Sequence, residues 1–196
     1  MEIIVYLREN FMEVFTLVTG IVYVVLEIRQ KNFMWILGML TSAATVYVFF
    51  VQGLYASAIL NVYYFIIAFW GLFQWKKDSA AVQDSGSIHL NRLPLGTIWV
   101  SLALFIAGTA NLTFIMERFG DPMSVLDASV TMLSAIATWW LGKSYLQQWL
   151  LWIAANSLTF VMCIHQDLYF LSVLYAVYVL SAVFGYFHWK RDGMYI

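Results

Sequence analysis

Three residues near the start of the sixth apolar span have the types and the spacing to bind a flat, positively charged ring. They are Trp149, Trp152 and Asn156, separated by three and four positions, and such spacing places side chains on one face of an α-helix. Indole faces attract cations, and a carboxamide offers both donors and an acceptor. The alternative places Trp149 in the aromatic belt at the membrane surface and has Asn156 bond a neighbouring helix.

Further candidates lie in the first half of the chain. Asn61 stands early in the third span beside two tyrosines, and a polar amide among apolar residues favours a role in binding. The predicted binding set is Trp152, Asn156, Trp149, Asn61, Trp35 and Tyr64. Whether Trp70, Trp139 and Trp140 line a pathway or face lipid stays open.

Two acids stand near the starts of the first and fifth spans. Glu13 and Asp127 would suit a cation or proton site on a transport pathway. Each also follows a capping residue by three positions, as Asn10-x-x-Glu13 and Ser124-x-x-Asp127, which is the capping-box pattern. We favour the capping interpretation, so the spans contain no predicted proton relay.

Motifs for enzymatic chemistry are missing from the sequence. His165 and His188 have no metal-ligand spacing to other ligating residues, and there is no phosphate-binding glycine pattern and no nucleophile elbow. The single Cys163 gives neither a disulfide nor a thiolate metal site. We therefore expect no cofactor, no metal and no enzymatic activity, and an energy source other than ATP hydrolysis.

The amino-acid composition indicates the environment in which these residues lie. Of 196 residues, 63% are hydrophobic, 18% aromatic and only 11% charged, with a net charge of −1 and a mean hydropathy of +0.79. Soluble domains carry about 25% charged residues. This excludes a soluble enzyme, a disordered chain and a basic nucleic-acid-binding protein, and predicts a small polytopic membrane protein.

Apolar windows predict seven transmembrane helices. They fall at 11–28, 33–52, 54–75, 97–117, 125–142, 148–165 and 167–189. Residues 1–10 form a lead-in, 76–96 a polar loop and 190–196 a tail. Eight basic residues then lie on one face of the membrane and two, Arg8 and Arg118, on the other. The positive-inside rule places the N-terminus outside and the C-terminus in the cytoplasm.

The chain also matches itself at an offset of 114. Residues 51–78 align without gaps to 165–192, with eleven of 28 positions identical, among them Gly71/Gly185 and Trp75/Trp189. Trp35 falls on Trp149 at the same offset. The prediction is a 3+1+3 arrangement of parallel repeats, 11–75 and 125–189, joined by a linking helix at 97–117. Parallel repeats of this kind are a known transporter design.

Several of these residues together resemble the PnuC family of bacterial vitamin transporters. The resemblance lies in Asn32-Phe-Met-Trp35, in Gly53-Leu-Tyr-Ala-Ser57 followed by Asn61, and in Trp149-Leu-Leu-Trp152-x3-Asn156. It extends over roughly residues 11–191. It implies a SWEET-like fold of seven helices in the bacterial inner membrane, and facilitated diffusion of a vitamin that a cytoplasmic kinase traps by phosphorylation. It carries a binding role over to Trp152 and Asn156, and less directly to Trp149.

The resemblance leaves the vitamin open. Nicotinamide riboside members tend to have Gln where Asn61 stands here, and some have Glu and Asn where Leu174 and Phe184 stand. These departures favour the thiamine branch, PnuT, slightly over nicotinamide riboside, with a riboflavin-type substrate as an alternative. A membrane scaffold subunit without transport is the competing function. The oligomeric state also stays open, a homo-oligomer included.

Overall fold

The structure, a computed structural model, describes residues 11–51, 55–81, 88–118 and 123–196. These residues form seven α-helices: α1 Phe11–Ile28, α2 Phe33–Val51, α3 Tyr55–Ala81, α4 Leu95–Arg118, α5 Ser124–Gly142, α6 Gln148–His165 and α7 Tyr169–Asp192. Among the described residues, four segments are long and apolar enough to cross a membrane: α4, α5, α6 and Leu171–Asp192 of α7. The prediction of an all-α membrane protein is confirmed.

The segment predicted as a loop at 76–96 is partly ordered into regular structure. Helix α3 continues to Ala81, past the predicted end of its span at 75, because Lys76, Lys77 and Asp78 can extend a helix beyond the apolar region. A short strand, β1 Ile88–Leu90, follows and pairs in parallel with β2 Gly193–Tyr195 in the predicted C-terminal tail. The loop and tail predictions therefore require correction at these positions.

Three helices end in the same backbone motif. Gln30, Ser144 and Asp167 have φ values of 47°, 56° and 57°, in the left-handed region. Lys31 N donates to Leu26 O, and the corresponding six-residue closures end α5 and α6. This is the Schellman motif, which satisfies the last carbonyls of a helix and turns the chain sharply. It accounts for the short connections α1–α2, α5–α6 and α6–α7.

The helices pack in two sets that interlock. Helix α2 packs between α1 and α3, and α6 packs between α5 and α7. Across the two sets, α3 packs on α5 and α7 packs on α1. Helix α4 packs on α5 alone among these principal contacts, and large apolar side chains such as Leu95, Trp99 and Ile106 on α4 are exposed, as expected for contact with lipid.

Four fully buried tryptophans, Trp35, Trp75, Trp149 and Trp189, form a tryptophan cluster near the end of the bundle that carries the two strands, hereafter the strand end. Trp35 meets Trp75 edge-on with ring centroids 5.1 Å apart, and Trp149 meets Trp189 edge-on at 5.4 Å. Trp75 and Trp189 lie 6.3 Å apart and join the pairs. The cluster forms the hydrophobic core at this end of the bundle.

Hydrogen bonds tie the two helix sets together at the strand end. Trp75 Nε1 donates to Leu141 O at 3.0 Å, and Trp189 Nε1 donates to Ile28 O at 2.9 Å. Gln30 Nε2 donates to His89 O, and Gln30 Oε1 accepts from His89 N. This side chain therefore pairs with both backbone polar groups of His89 and holds strand β1 in place. Burial lowers the pKa of His89, against the opposing charge of Asp78.

Candidate functional site

A cavity of about 300 Å³ lies between α1, α5, α6 and α7. Trp149, Trp152, Asn156 and Thr159 supply the α6 wall, at intervals of three, four and three residues that keep all four on one helix face. We call this the first cavity. Its volume lies at the lower end of the range for small-molecule sites.

Trp149 is held in place by a glycine on the neighbouring helix. The ring lies so close to α7 that a Cβ at Gly185 would stand 2.6 Å from its six-membered ring. The residue is 1% exposed, and Trp189 meets it edge-on. A side chain in the membrane aromatic belt would be exposed to lipid and headgroups. The aromatic-belt alternative for Trp149 is therefore wrong.

Thr159 Oγ1 of this wall donates to Ala155 O at 3.0 Å, whereas the polar groups of the other three residues are unpaired among the described residues. Within the part of the chain that the structure describes, the buried Nε1 atoms of Trp149 and Trp152 have no hydrogen-bond partner, and no hydrogen bond is formed by the Asn156 amide. The alternative in which Asn156 bonds a neighbouring helix is therefore wrong for this structure. Buried donors normally find partners, so these groups are available to a bound molecule.

A second cavity of about 280 Å³ lies between α2, α3, α5 and α6, and Tyr23 of α1 also lines it. It adjoins the first cavity, since Tyr23 and Trp152 line both. Trp35, Asn61 and Tyr64 lie here, so all six predicted binding residues line one cavity or the other. That they bind a substrate stays a prediction.

Hydroxyl groups dominate the polar lining of the second cavity. They belong to Thr41, Ser42, Thr45 and Thr138. Thr41 Oγ1 donates to Leu37 O at 3.0 Å, and Thr45 Oγ1 donates to Thr41 O at 2.8 Å. A hydroxyl that donates to its own helix keeps its lone pairs as acceptors. The second cavity can therefore accept hydrogen bonds from a polyhydroxyl group.

The linings of the two cavities correspond in sequence number. Eight residues of one stand 114 positions from eight of the other: Trp35 and Trp149, Gly38 and Trp152, Ser42 and Asn156, Thr45 and Thr159, Asn61 and Tyr175, Tyr64 and Tyr178, Ala68 and Ala182, Val24 and Thr138. Four of these pairs differ in residue type, and two of the four lie on α2 and α6. Where α2 has Gly38 and Ser42, α6 has Trp152 and Asn156, so the first cavity has the stronger means to hold an aromatic ring.

Several residues that line the cavities were not predicted from the sequence. Tyr23, Tyr175 and Tyr178 add aromatic and hydroxyl groups to the first cavity, and Glu27 adds a carboxylate. The tyrosines could have been found from their positions on apolar helices at repeat-related spacing. One feature of the sequence could have identified Glu27 as a lining residue. It is a lone acid near the end of the apolar run Val24-Val-Leu-Glu27-Ile.

The two acids predicted as capping residues have different outcomes. Glu13 lies outside the residues whose side chains the structure describes. Helix α5 begins at Ser124 with Met123 in the N-cap position and no side-chain cap, so Ser124 is not the capping residue that was predicted. Asp127 lies within electrostatic reach of Tyr175, which lines the first cavity.

The sequence leaves open whether Trp70, Trp139 and Trp140 line a pathway or face lipid, and the structure shows what each of them contacts. Trp70 packs against Gly142, and Lys143 Nζ lies 5.1 Å from its ring centroid. Trp140 is buried and donates to Ser101 Oγ at 3.0 Å, and Trp139 packs beside it. None of the three lines either cavity. Among the described residues there is no group of three or more His, Cys, Asp or Glu that could hold a metal ion.

Comparison with known proteins decides the family. A family model described as nicotinamide mononucleotide transporter matches residues 10–191. The chain belongs to this family, that of PnuC. The nicotinamide riboside transporter PnuC of Neisseria mucosa is 24% identical over 89% of this chain and 70% of its own length. PnuC of Escherichia coli K12 is 22% identical over 94% of this chain and 87% of its own length.

The PnuC fold is seen directly in a solved relative. A crystal structure of the vitamin B3 transporter PnuC matches with a TM-score of 0.72 and 23% identity, over 96% of this chain and 84% of that one. The predicted family is thus confirmed. The relatives are transporters, which also confirms that this PnuC family member is not an enzyme and is a multi-pass protein of the bacterial inner membrane.

Proposed function

We propose that this chain moves nicotinamide riboside across the inner membrane by facilitated diffusion. The observation that carries the proposal is the α6 wall of the first cavity, where Trp149, Trp152 and Asn156 offer two indoles and an unpaired amide. Family membership supports transport of a vitamin, and the names of the curated relatives support this vitamin in particular.

The nicotinamide ring would lie against Trp152 with its carboxamide toward Asn156. The pyridinium is a flat cation, and an indole face attracts it by up to ~2 kcal/mol once water is excluded. Asn156 stands one helical turn deeper than Trp152, about 6 Å along the axis at 1.5 Å per residue. A carboxamide and an asparagine side chain pair well, since each has donors and an acceptor.

The ribose would occupy the second cavity. Trp152 lines both cavities, so a ring stacked on it has its sugar substituent within reach of the second. Thr41, Ser42 and Thr45 supply hydroxyl oxygens there, and Asn61 supplies an amide. Some nicotinamide riboside transporters have Glu and Asn where this chain has Leu174 and Phe184. The groups of the second cavity would supply polar contacts in place of those two side chains.

The order of substrates changes accordingly. From the sequence, thiamine is slightly favoured over nicotinamide riboside, because Asn61, Leu174 and Phe184 depart from the residues typical of nicotinamide riboside transporters. The curated relatives from Neisseria mucosa, Escherichia coli and Haemophilus influenzae are named nicotinamide riboside transporters, and the hydroxyl-lined second cavity suits a ribose. We therefore place nicotinamide riboside first and thiamine second.

A thermal-shift screen of the purified protein tests the substrate. A ligand that binds only the folded state stabilises it by RT ln(1 + [L]/Kd). At a concentration of 100 Kd the gain is about 2.7 kcal/mol, which is several degrees in Tm. We expect the largest rise with nicotinamide riboside, a smaller one with thiamine and none with riboflavin. No rise with any of the three would favour the scaffold alternative.

We also propose that the helices form a 3+1+3 arrangement of parallel repeats, as in SWEET transporters. Three observations support it: the paired cavity linings, the reciprocal packing of α3 on α5 and α7 on α1, and the matched hydrogen bonds of Trp75 and Trp189. A two-fold relation exchanges each of these with its counterpart. Helix α4 is the linking helix of this arrangement.

The strand end would face the cytoplasm. The eight basic residues counted on one face all belong to helix ends and connections at this end, which favours it under the positive-inside rule. We predict that Met194→Cys is protected from an impermeant thiol reagent in whole cells and that Glu2→Cys is labelled. The native Cys163 is buried and serves as the unlabelled background. Labelling at 194 but not at 2 would reverse the orientation.

Transport would need neither ATP nor an ion gradient. The sequence has no nucleotide-binding motif, and one acid, Glu27, is found among the described residues lining the first cavity, whereas a relay needs a chain of such groups. In proteoliposomes we expect nicotinamide riboside uptake to stop at equal concentrations. A phosphorylating kinase sealed inside should let uptake continue. Accumulation driven by an imposed proton or sodium gradient would contradict facilitated diffusion.

A further inference from the structure

The least expected residue in the first cavity is Glu27. It is the penultimate residue of α1, is 4% exposed and lines the cavity together with Trp149 and Trp152. Its Oε1 atom is buried, and no described residue gives it a hydrogen bond. Its neighbour Gln148 is also fully buried. The Gln148 amide lies close enough to interact with the Glu27 carboxyl, but among the described residues neither of its polar atoms forms a hydrogen bond of good geometry.

No positive charge in the structure balances this carboxylate. The ion pairs of the described residues involve Asp78 and Asp192, not Glu27. No lysine, arginine or histidine is among the described residues that line the first cavity. A buried carboxylate without a partner is costly, so the empty cavity favours the protonated acid and a bound cation favours the carboxylate.

The rest of the lining is suited to such a cation. Five aromatic side chains surround the space with Glu27: Tyr23, Trp149, Trp152, Tyr175 and Tyr178. Aromatic rings with a carboxylate among them recognise organic cations in two ways at once, by the ring quadrupole and by charge. Neither interaction is available to an uncharged ring of the same shape.

We propose that Glu27 is the counter-charge for a cationic substrate ring and makes the first cavity selective for the charged form of the vitamin. The proposal rests on the proposed function and adds a residue and a selectivity to it. Trp149 and Asn156 are seven residues apart, about 10 Å along α6. With the carboxamide of a ring on Trp152 at Asn156 and its ribose directed into the second cavity, the face of the pyridinium ring is left for Glu27.

The test compares two ligands that differ in charge. Nicotinamide riboside is a cation, and 1,4-dihydronicotinamide riboside is its uncharged reduced form. Calorimetry on the purified full-length protein should show that the wild type binds the cation at least about tenfold more tightly. Glu27→Gln keeps the size and polarity of the side chain but removes the charge. It should weaken cation binding about tenfold or more and change binding of the neutral form less than about threefold.

Two further variants separate charge selectivity from folding. Glu27→Asp keeps the charge and should retain most of the preference for the cation. Asp78→Asn removes another buried carboxylate, one that contacts Gln74 and Asn91 outside both cavities, and should leave the preference unchanged.

The outcomes are distinguishable. If the wild type binds neither ligand, both the proposed function and this inference are overturned. If the wild type binds both equally, or Glu27→Gln keeps the preference for the cation, Glu27 is a structural partner of Gln148 and the inference alone is overturned. Equal binding of the two ligands by the wild type overturns the inference even if Glu27→Gln does not fold.

Discussion

Replacing Trp152 or Asn156 by alanine is expected to weaken binding of the proposed substrate, nicotinamide riboside, by roughly 10- to 100-fold. Loss of the indole removes a cation–π contact of up to ~2 kcal/mol together with the stacking surface. Loss of the amide leaves the substrate's carboxamide unpaired in a dry site, which costs about 1–3 kcal/mol. Because 1.4 kcal/mol is tenfold in affinity, each change falls in the stated range when measured by calorimetry.

Matched controls are available on α4. Trp99→Ala removes an indole that is 69% exposed, and Asn111→Ala removes an exposed amide that bonds its own helix at Ala107 O. Neither residue lines a cavity, so both variants should bind like the wild type. Wild-type affinity in Asn156→Ala would move the site elsewhere in the protein.

Gly185→Ala is expected to weaken binding at least about tenfold without touching the substrate. The new methyl group would stand 2.6 Å from the Trp149 ring, so the ring must shift toward the first cavity. Forcing a side chain into a filled space costs about 1–3 kcal/mol, which should also lower Tm. Calorimetry and thermal unfolding on the same sample measure the two effects together.

The control for this variant is Gly96→Ala, because a Cβ there meets nothing within 4 Å. Gly71→Ala is the corresponding change in the first repeat, since Gly71 and Gly185 are 114 positions apart. Its methyl group would meet Trp35 at 2.7 Å and so disturb the second cavity. Normal binding in Gly185→Ala with a normal Tm would show that Trp149 can move without consequence and does not hold the substrate.

The sequence predicted most of the helices, because membrane spans are read from hydropathy. Six of the seven helices end within three residues of the predicted spans. The exception, α3, continues to Ala81 through Lys76, Lys77 and Asp78. Hydropathy reports where the bilayer ends, not where the helix ends, so this extension gave no signal.

The α6 wall was predictable because its residues are neighbours on one helix. Spacing alone places Trp149, Trp152 and Asn156 together. The position of Glu27 was not predictable in this way. It stands beside Arg29 and Lys31 and resembles a solvated helix end. Its burial depends on the packing of α1 against α7 and on the nearby Gln148 at the start of α6. Such packing joins residues more than 100 positions apart, which a helical period cannot report.

The capping prediction at α5 failed by a single residue. A capping box needs its first residue outside the helix, with non-helical backbone angles. Here Met123 takes that place and Ser124 is already helical. The pattern Ser124-x-x-Asp127 was correct as a marker of a helix start, but the start lies one position earlier. Asp127 lies in the first turn of the helix, and its charge acts on Tyr175 of α7.

The most direct test of the account is an experimental structure of the protein with nicotinamide riboside bound. The account predicts ligand density in the first cavity, with the pyridinium ring against Trp152 and the carboxamide within hydrogen-bond distance of Asn156. The ribose should extend toward Thr41 and Ser42 in the second cavity. Density elsewhere, or a ring that contacts neither Trp152 nor Asn156, would contradict it.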